Sequence, residues 1–374
     1  MNRLRDYCEI HLTEILADTE AFARRESPST DKGAVDRCGE DIAARCRAAG
    51  AEIRWLRRED RGNHILASWP GHEPAILLLG HFDTVWPLHT IAEMPVARDG
   101  DRLTGPGVFD MKAGIAVALA AMRALKANDM RHPAIRMLWT TDEEIGSATS
   151  RGDIEAFARL SRAVLVLEPS LPGGALKTAR KGCGQYDLIV DGVAAHAGLD
   201  PAKGVSAIHE LATQIREIEQ LTDLSTGVTV NVGIVEGGTR PNVVAARARA
   251  VIDARALTVA DAERVDHVLR RLQPMRAGAR LTLQGGFERP PMERSPEIER
   301  LFELARDVAG ELGRTLEEGS AGGGSDGNFT AALGVPTLDG LGAVGDGAHA
   351  SHEHVIVSEL PWRAALVAGL LSRL

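Results

Sequence analysis

His81 and Asp83 stand two residues apart behind the apolar run at residues 75–80 (AILLLG), an imidazole and a carboxylate delivered where a buried strand would end. Three further sites offer the same kind of side chain. Asp110 follows a glycine-rich turn and is expected to open a helix, Glu143 and Glu144 follow residues 135–141 (IRMLWTT), and Glu168 ends residues 163–167 (AVLVL). Histidines at 349, 352 and 354 come late in the chain. Open α/β sheets bind ligands beyond the carboxyl ends of their strands, and most of these residues fall there. Hard carboxylates mixed with imidazoles suit divalent cations, so the pattern predicts a binuclear metal site.

Each element has a plainer explanation when taken alone. His81 and Asp83 could be a salt-bridged pair; if the backbone is extended, both point to one side and Asp83 can hold the second ring nitrogen of His81. Asp110 could be a helix N-cap, although the glycines before it allow close approach to an occupied site. Asp142, Glu143 and Glu144 could lie in a solvated loop. Three like charges at the end of a core strand are costly, however, unless cations hold them. Adjacent glutamates also permit a division of labour, one ligating metal while the other takes a proton from water. Glu168 ends a run that reads as fully buried, where a lone carboxylate would have to be neutral or paired.

The elements that must position these groups can be read from periodicity. Leu4, Tyr7, Cys8, Leu12, Ile15 and Leu16 recur at helical spacing, and a second helix is expected over residues 34–49, stopping at Gly50. Strands are expected over residues 52–55, 64–69 and 75–79. A helix over residues 111–128 should bury one face through Ile115, Leu119, Met122 and Leu125. After residue 177 the expected order is strand 185–190, helix 205–221, strands 228–235 and 248–255, helix 260–272 and strand 280–284. This β-α-β-β-α-β order is that of a ferredoxin-like unit. The fold class is therefore α/β: a layered α/β metallohydrolase domain from residues 1–177 and 290–374, with an inserted ferredoxin-like α+β domain at 178–289.

The 374 residues, 44% hydrophobic and 25% charged, suffice for two domains with sizeable cores. A net charge of -9 argues against nucleic acid or an anionic membrane as partner. Cys8, Cys38, Cys46 and Cys183 show no C-x-x-C pairing and read as free thiols of a reducing compartment. The first residues carry no signal-peptide pattern, no stretch could span a bilayer, and cytoplasmic residence is expected.

Six segments in order carry a family resemblance: GHFDTVWP (80–87), GPGVFDMKAG (105–114), TTDEEIGS (140–147), LEPS (167–170), GGGSD (322–326) and GAHASHE (347–353). Together they resemble the co-catalytic zinc aminoacylase and carboxypeptidase family, which includes acetylornithine deacetylase and succinyl-diaminopimelate desuccinylase. The wording of the first segment and the triple glycine look most like its glutamate carboxypeptidase (glucarpidase) branch. The resemblance implies two zinc ions, with cobalt or manganese as substitutes, bridged by Asp110. One ion would take His81 and Glu168, the other Glu144 and His349, the last chosen over His352 because the family's ligand stands four residues before a glutamate. Glu143 would be the general base and Asp83 the residue that orients His81. His196 would stabilise an oxyanion, while Asn242, Arg255 and Gly323 would bind substrate. A forked guanidinium is a natural reader of a carboxylate, but Arg255 could instead pair with Asp253 or Asp261. The implied activity is release of glutamate or a similar amino acid from an N-acyl amino acid or peptide by a homodimer. Deacetylation of small N-acyl amino acids is the alternative, and a non-catalytic metal-binding module the remaining one.

Overall fold

The apolar run at residues 75–79 lies at the heart of a six-stranded sheet in the computed structural model, which describes all 374 residues. Strands β1 (Glu52–Leu56), β2 (His64–Trp69), β3 (His72–His81), β4 (Pro133–Thr140) and β5 (Ser161–Val166) are ordered β1-β2-β4-β3-β5, with the short strand Thr337–Leu338 beyond β5. β3 runs parallel to β4 on one side and to β5 on the other. Residues 75–79 are all 0% exposed. A parallel strand covered on both faces needs no alternation, which is why this one reads as continuous apolar sequence. Fully burying one leucine stabilises by about 1.5–3 kcal/mol, so the run fixes the depth at which β3 ends, and with it the place of His81.

The helix Ala113–Ala127 departs from the expected single buried face. It is buried almost all round, because its alanines let the helices Leu12–Ala23 and Leu360–Leu371 pack closely against it. Alanine on the supposed outer faces was therefore a sign of close helix contacts rather than of solvent. A second small sheet escaped the sequence reading altogether. Ala97–Asp99, Arg102–Thr104, Gly345–Asp346 and His354–Ile356 form it, each too short for a periodic signal.

The chain divides into two compact units. One comprises Met1–Thr178, Arg294–Ala321 and Ser325–Leu374; the other comprises Ala179–Glu293 with Gly322–Gly324. In the second unit β6 (Gly182–Asp191), β7 (Thr229–Gly237), β8 (Arg247–Ala256) and β9 (Arg280–Arg289) form an antiparallel sheet ordered β7-β8-β6-β9. The helices Ala207–Glu219 and Val259–Arg270 follow β6 and β8 and bury a core with alternating residues such as Tyr186, Leu188 and Val190. This is the β-α-β-β-α-β order of a ferredoxin-like unit. The glycine triplet belongs with it because Arg180 donates from Nε to the Gly323 carbonyl and from Nη2 to that of Gly324, each at 2.9 Å. The four cysteines are free, and three of them are buried. No helix is long and apolar enough to cross a membrane.

Candidate metal centre

The neighbouring parallel strands β4, β3 and β5 end on one edge of the main sheet. His81 is the last residue of β3, and Asp83 follows two positions later. Glu143 and Glu144 lie in the helical turn Glu143–Ile145 after β4, and Glu168 lies two residues past β5. Asp110 arrives differently from the expectation. It does not open or cap the following helix, whose N-cap is Lys112 with no side-chain cap bond. Its backbone is extended at φ -112° and ψ 95°, within a tight turn that Gly107 makes possible. Gly107 has φ 70°, and a Cβ there would come within 2.5 Å of Thr84 Cγ2. His349 sits between the hairpin strands Gly345–Asp346 and His354–Ile356. The latter pairs with Arg102–Thr104, the strand that leads into the Asp110 turn. The small sheet thus brings together segments more than 240 residues apart.

These placements converge five donors. His81 Nε2 lies 3.2 Å from Asp110 Oδ1 and 3.3 Å from Glu168 Oε1. His349 Nε2 lies 3.3 Å from Asp110 Oδ2 and 3.1 Å from Glu144 Oε2. Asp110 therefore turns one oxygen to each half of the cluster. Donor atoms of His81, Asp110 and Glu144 all fall within 4.8 Å of one another. His81 Nε2 and Asp110 Oδ1 are buried and make no hydrogen bond, an arrangement that a cation between them would satisfy. The other ring nitrogen of His81, Nδ1, is 3.0 Å from the Asp83 carbonyl oxygen and 3.4 Å from its carboxylate. The Asp83 carboxylate also accepts from Ser29 Oγ at 2.7 Å and from the Glu144 backbone at 3.3 Å, so it steadies both halves.

The electrostatics call for positive charge. Burial pushes Glu144 up to about 7, with Asp110 and Glu143 adding to it against the hydrogen bond from His349. Glu168 is raised by burial and then by Asp110. Contacts with Asp110 and Glu144 raise His349 to about 10. His81 is raised well above its ordinary value, since Asp110, Asp83 and Glu168 outweigh its burial. Asp110, though buried, is held below the usual carboxylate range by the two histidines. Like unit charges about 4 Å apart repel by about 4 kcal/mol at an effective dielectric near 20. Without metal, protons on the imidazoles offset part of this; divalent cations would displace those protons and offset more. The donor set fits such ions.

Glu143, 9% exposed, directly precedes Glu144 in the chain, and its charge adds to that acting on both Glu144 and Glu168. Its other neighbour, Asp142, braces the loop instead, with Oδ2 accepting from the backbone and hydroxyl of Thr149 at 2.6 and 2.8 Å. The buried His64 ring bridges Thr141 and Thr149 and stiffens the same loop. His352 and His354 stay outside the donor cluster; the His354 ring contacts the His352 carbonyl. Ser29 and Trp86 were missed in the sequence reading, and Glu353 served there only to mark His349. Ser29 lies 54 residues from its partner, beyond the reach of any local pattern.

The remaining predicted residues lie in the second unit. His196 Nδ1 accepts from the Gly198 and Leu199 backbone at 3.1 Å each, which leaves the proton on Nε2, free to donate. Asn242 is exposed nearby, its carbonyl accepting from Ala197 at 3.0 Å. Arg255 has its fork engaged. Nε and Nη2 both contact the Asp253 carboxylate, at 2.8–3.0 Å, and Nη1 contacts Cys183 Sγ at 2.9 Å. This is the structural pairing weighed above as an alternative, and a substrate carboxylate would have to displace Asp253. Gly323 has its carbonyl on Arg180.

A model of peptidase family M20/M25/M40 matches residues 77–373. The chain belongs to that family. It is 31% identical over 307 residues to carboxypeptidase G2 of Pseudomonas sp. (strain RS-16), spanning 79% of this chain and 73% of that one. It is 30% identical to succinyl-diaminopimelate desuccinylase of Xanthomonas euvesicatoria over 95% of this chain and 97% of the relative. Among solved structures, the aminopeptidase PepT of Bacillus cereus shares the fold with a TM-score of 0.79 at 24% identity, over 96% of this chain and 98% of that chain. Membership of M20 assigns the chain to metal-dependent amide hydrolysis.

Proposed function

We propose that the chain is a di-zinc hydrolase that releases a C-terminal amino acid, glutamate or one like it, from an N-acyl amino acid or peptide. The observation that carries this reading is the convergence of His81, Asp110, Glu144, Glu168 and His349, with the candidate base Glu143 beside them. Five donors are too many for one tetrahedral ion with an open position, and their mix of carboxylate and imidazole suits zinc, with cobalt or manganese as substitutes. When bound, the cations supply Lewis acidity toward the carbonyl and acidify the attacking water. Glu143 takes the proton from that water and returns it to the leaving amine. Asp83 holds the His81 ring in register. His196 presents Nε2–H, the group needed to stabilise a developing oxyanion.

The carboxypeptidase relative supports release of a free amino acid, and the full-length match to a desuccinylase keeps deacylation of small N-acyl amino acids as the second reading. A non-catalytic module would have no use for Glu143. Asn242, Gly323 and Arg255 are the proposed contacts to substrate, Arg255 by exchanging Asp253 for the substrate carboxylate. Hydrolysis of acyl-glutamate, acyl-aspartate and small acetylated amino acids, each free and α-amidated, tests the proposal. Acyl-glutamate with a free carboxylate should turn over fastest. Equal rates on free and amidated compounds would contradict carboxylate recognition, and no hydrolysis of any of them with zinc present would contradict the activity.

A further inference from the structure

Glu353 is 0% exposed, yet its carboxylate is fully occupied by N–H donors from two other stretches of chain. Oε1 accepts from the Phe109 and Asp110 backbone at 2.8 and 3.0 Å. Oε2 accepts from the Gly107 backbone and from Trp86 Nε1, each at 2.9 Å. All three backbone donors belong to the turn before the helix Ala113–Ala127, so no helical carbonyl is available to them. Charge-assisted hydrogen bonds are roughly twice as strong as neutral ones, and four of them on one carboxylate make a stiff joint.

That joint ties together three of the segments that build the cluster. Trp86 lies three residues after Asp83, Asp110 is the residue shared by both halves of the donor cluster, and His349 lies four residues before Glu353 in the same loop. The Glu353 backbone donates to Ala350 at 2.9 Å, closing the loop that holds His349 at φ 61°, a left-handed conformation unfavourable for a side chain with a Cβ. With both oxygens saturated, Glu353 has no lone pair to spare for a cation. We propose that Glu353 is a positioning residue for the metal centre, locking the Asp110 turn and the His349 loop into the spacing that binds two ions.

This inference rests on the two-metal reading, and competition titration of metal-free protein with Zn2+ against a chromophoric chelator separates the two. Glu353→Gln replaces one oxygen with an amide that faces two N–H donors. The expected result is that wild type binds two zinc ions while Glu353→Gln loses about 10- to 100-fold in affinity at both sites. Its metal-free circular dichroism should match wild type. Trp86→Phe removes one donor of the four and should lose affinity by a smaller factor. Two ions bound by Glu353→Gln with wild-type affinity would overturn the role of Glu353 alone, while no zinc bound by wild type would overturn the metal reading and this inference with it. If Glu353→Gln does not fold, Trp86→Phe decides: reduced affinity supports the role, and unchanged affinity overturns it.

Discussion

Glu143 and Glu144 are chain neighbours for which we propose different work. Glu144 faces His349 at 3.1 Å and shares that imidazole with Asp110, so it contributes charge to the cluster. Glu143 directly precedes it in the chain, and its charge adds to that acting on Glu144 and Glu168. A base needs proton affinity and a ligand needs charge. Glu143→Gln should therefore lower kcat by about 10²–10⁴-fold with metal content unchanged. Glu144→Gln should instead lose occupancy of one metal. Kinetics paired with elemental analysis check this, and equal loss of metal in both variants would refute the division of labour.

At the scale of elements, the strand ends do most of the positioning, and close packing between helix and strand keeps them there. Gly114 opens the helix Ala113–Ala127 against the end of β5, where a Cβ would come within 2.2 Å of the Leu167 carbonyl oxygen. In a free helix, replacing Gly by Ala stabilises by about 1 kcal/mol. Here the clash with unyielding backbone reverses the sign, so Gly114→Ala should lower the melting temperature and, by shifting Glu168, weaken metal binding. A melting temperature at or above wild type would show that the backbone yields freely.

The elements that sequence made legible were those with long patterns. Residues 64–69 are a strand with the expected ends, and the run at 75–79 lies inside β3. β3 begins earlier, at His72, because its first residues are exposed and leave no apolar trace. Four of the five clustered side chains, His81, Asp110, Glu144 and Glu168, were nameable because each follows a strong local pattern, while His349 was singled out by the family resemblance alone. What escaped were contacts between distant segments: the small sheet, the reach of Ser29 to Asp83, and the grip of Glu353 on the Asp110 turn. Asp110 itself was misplaced at a helix start, since an aspartate after glycines and before an alanine-rich run looks like a cap.

For the whole molecule, the second unit leaves β7 at the edge of its sheet, with Ile234 and Val235 exposed at 53% and 55%. An apolar open edge invites pairing with another copy. A homodimer through this edge is the expected state, and Ile234→Lys should shift sedimentation at micromolar concentration toward monomer. A wild type that sediments as an active monomer would remove the claim.

Two divalent cations are proposed to hold the clustered carboxylates and imidazoles together in the active protein. The direct measurement is hydrolysis of an acyl-glutamate together with metal content, before and after chelation and on readdition of zinc. The expected result is two equivalents of metal per chain, loss of activity when they are stripped, and recovery as they return. Full activity in metal-stripped protein with chelator present would contradict it.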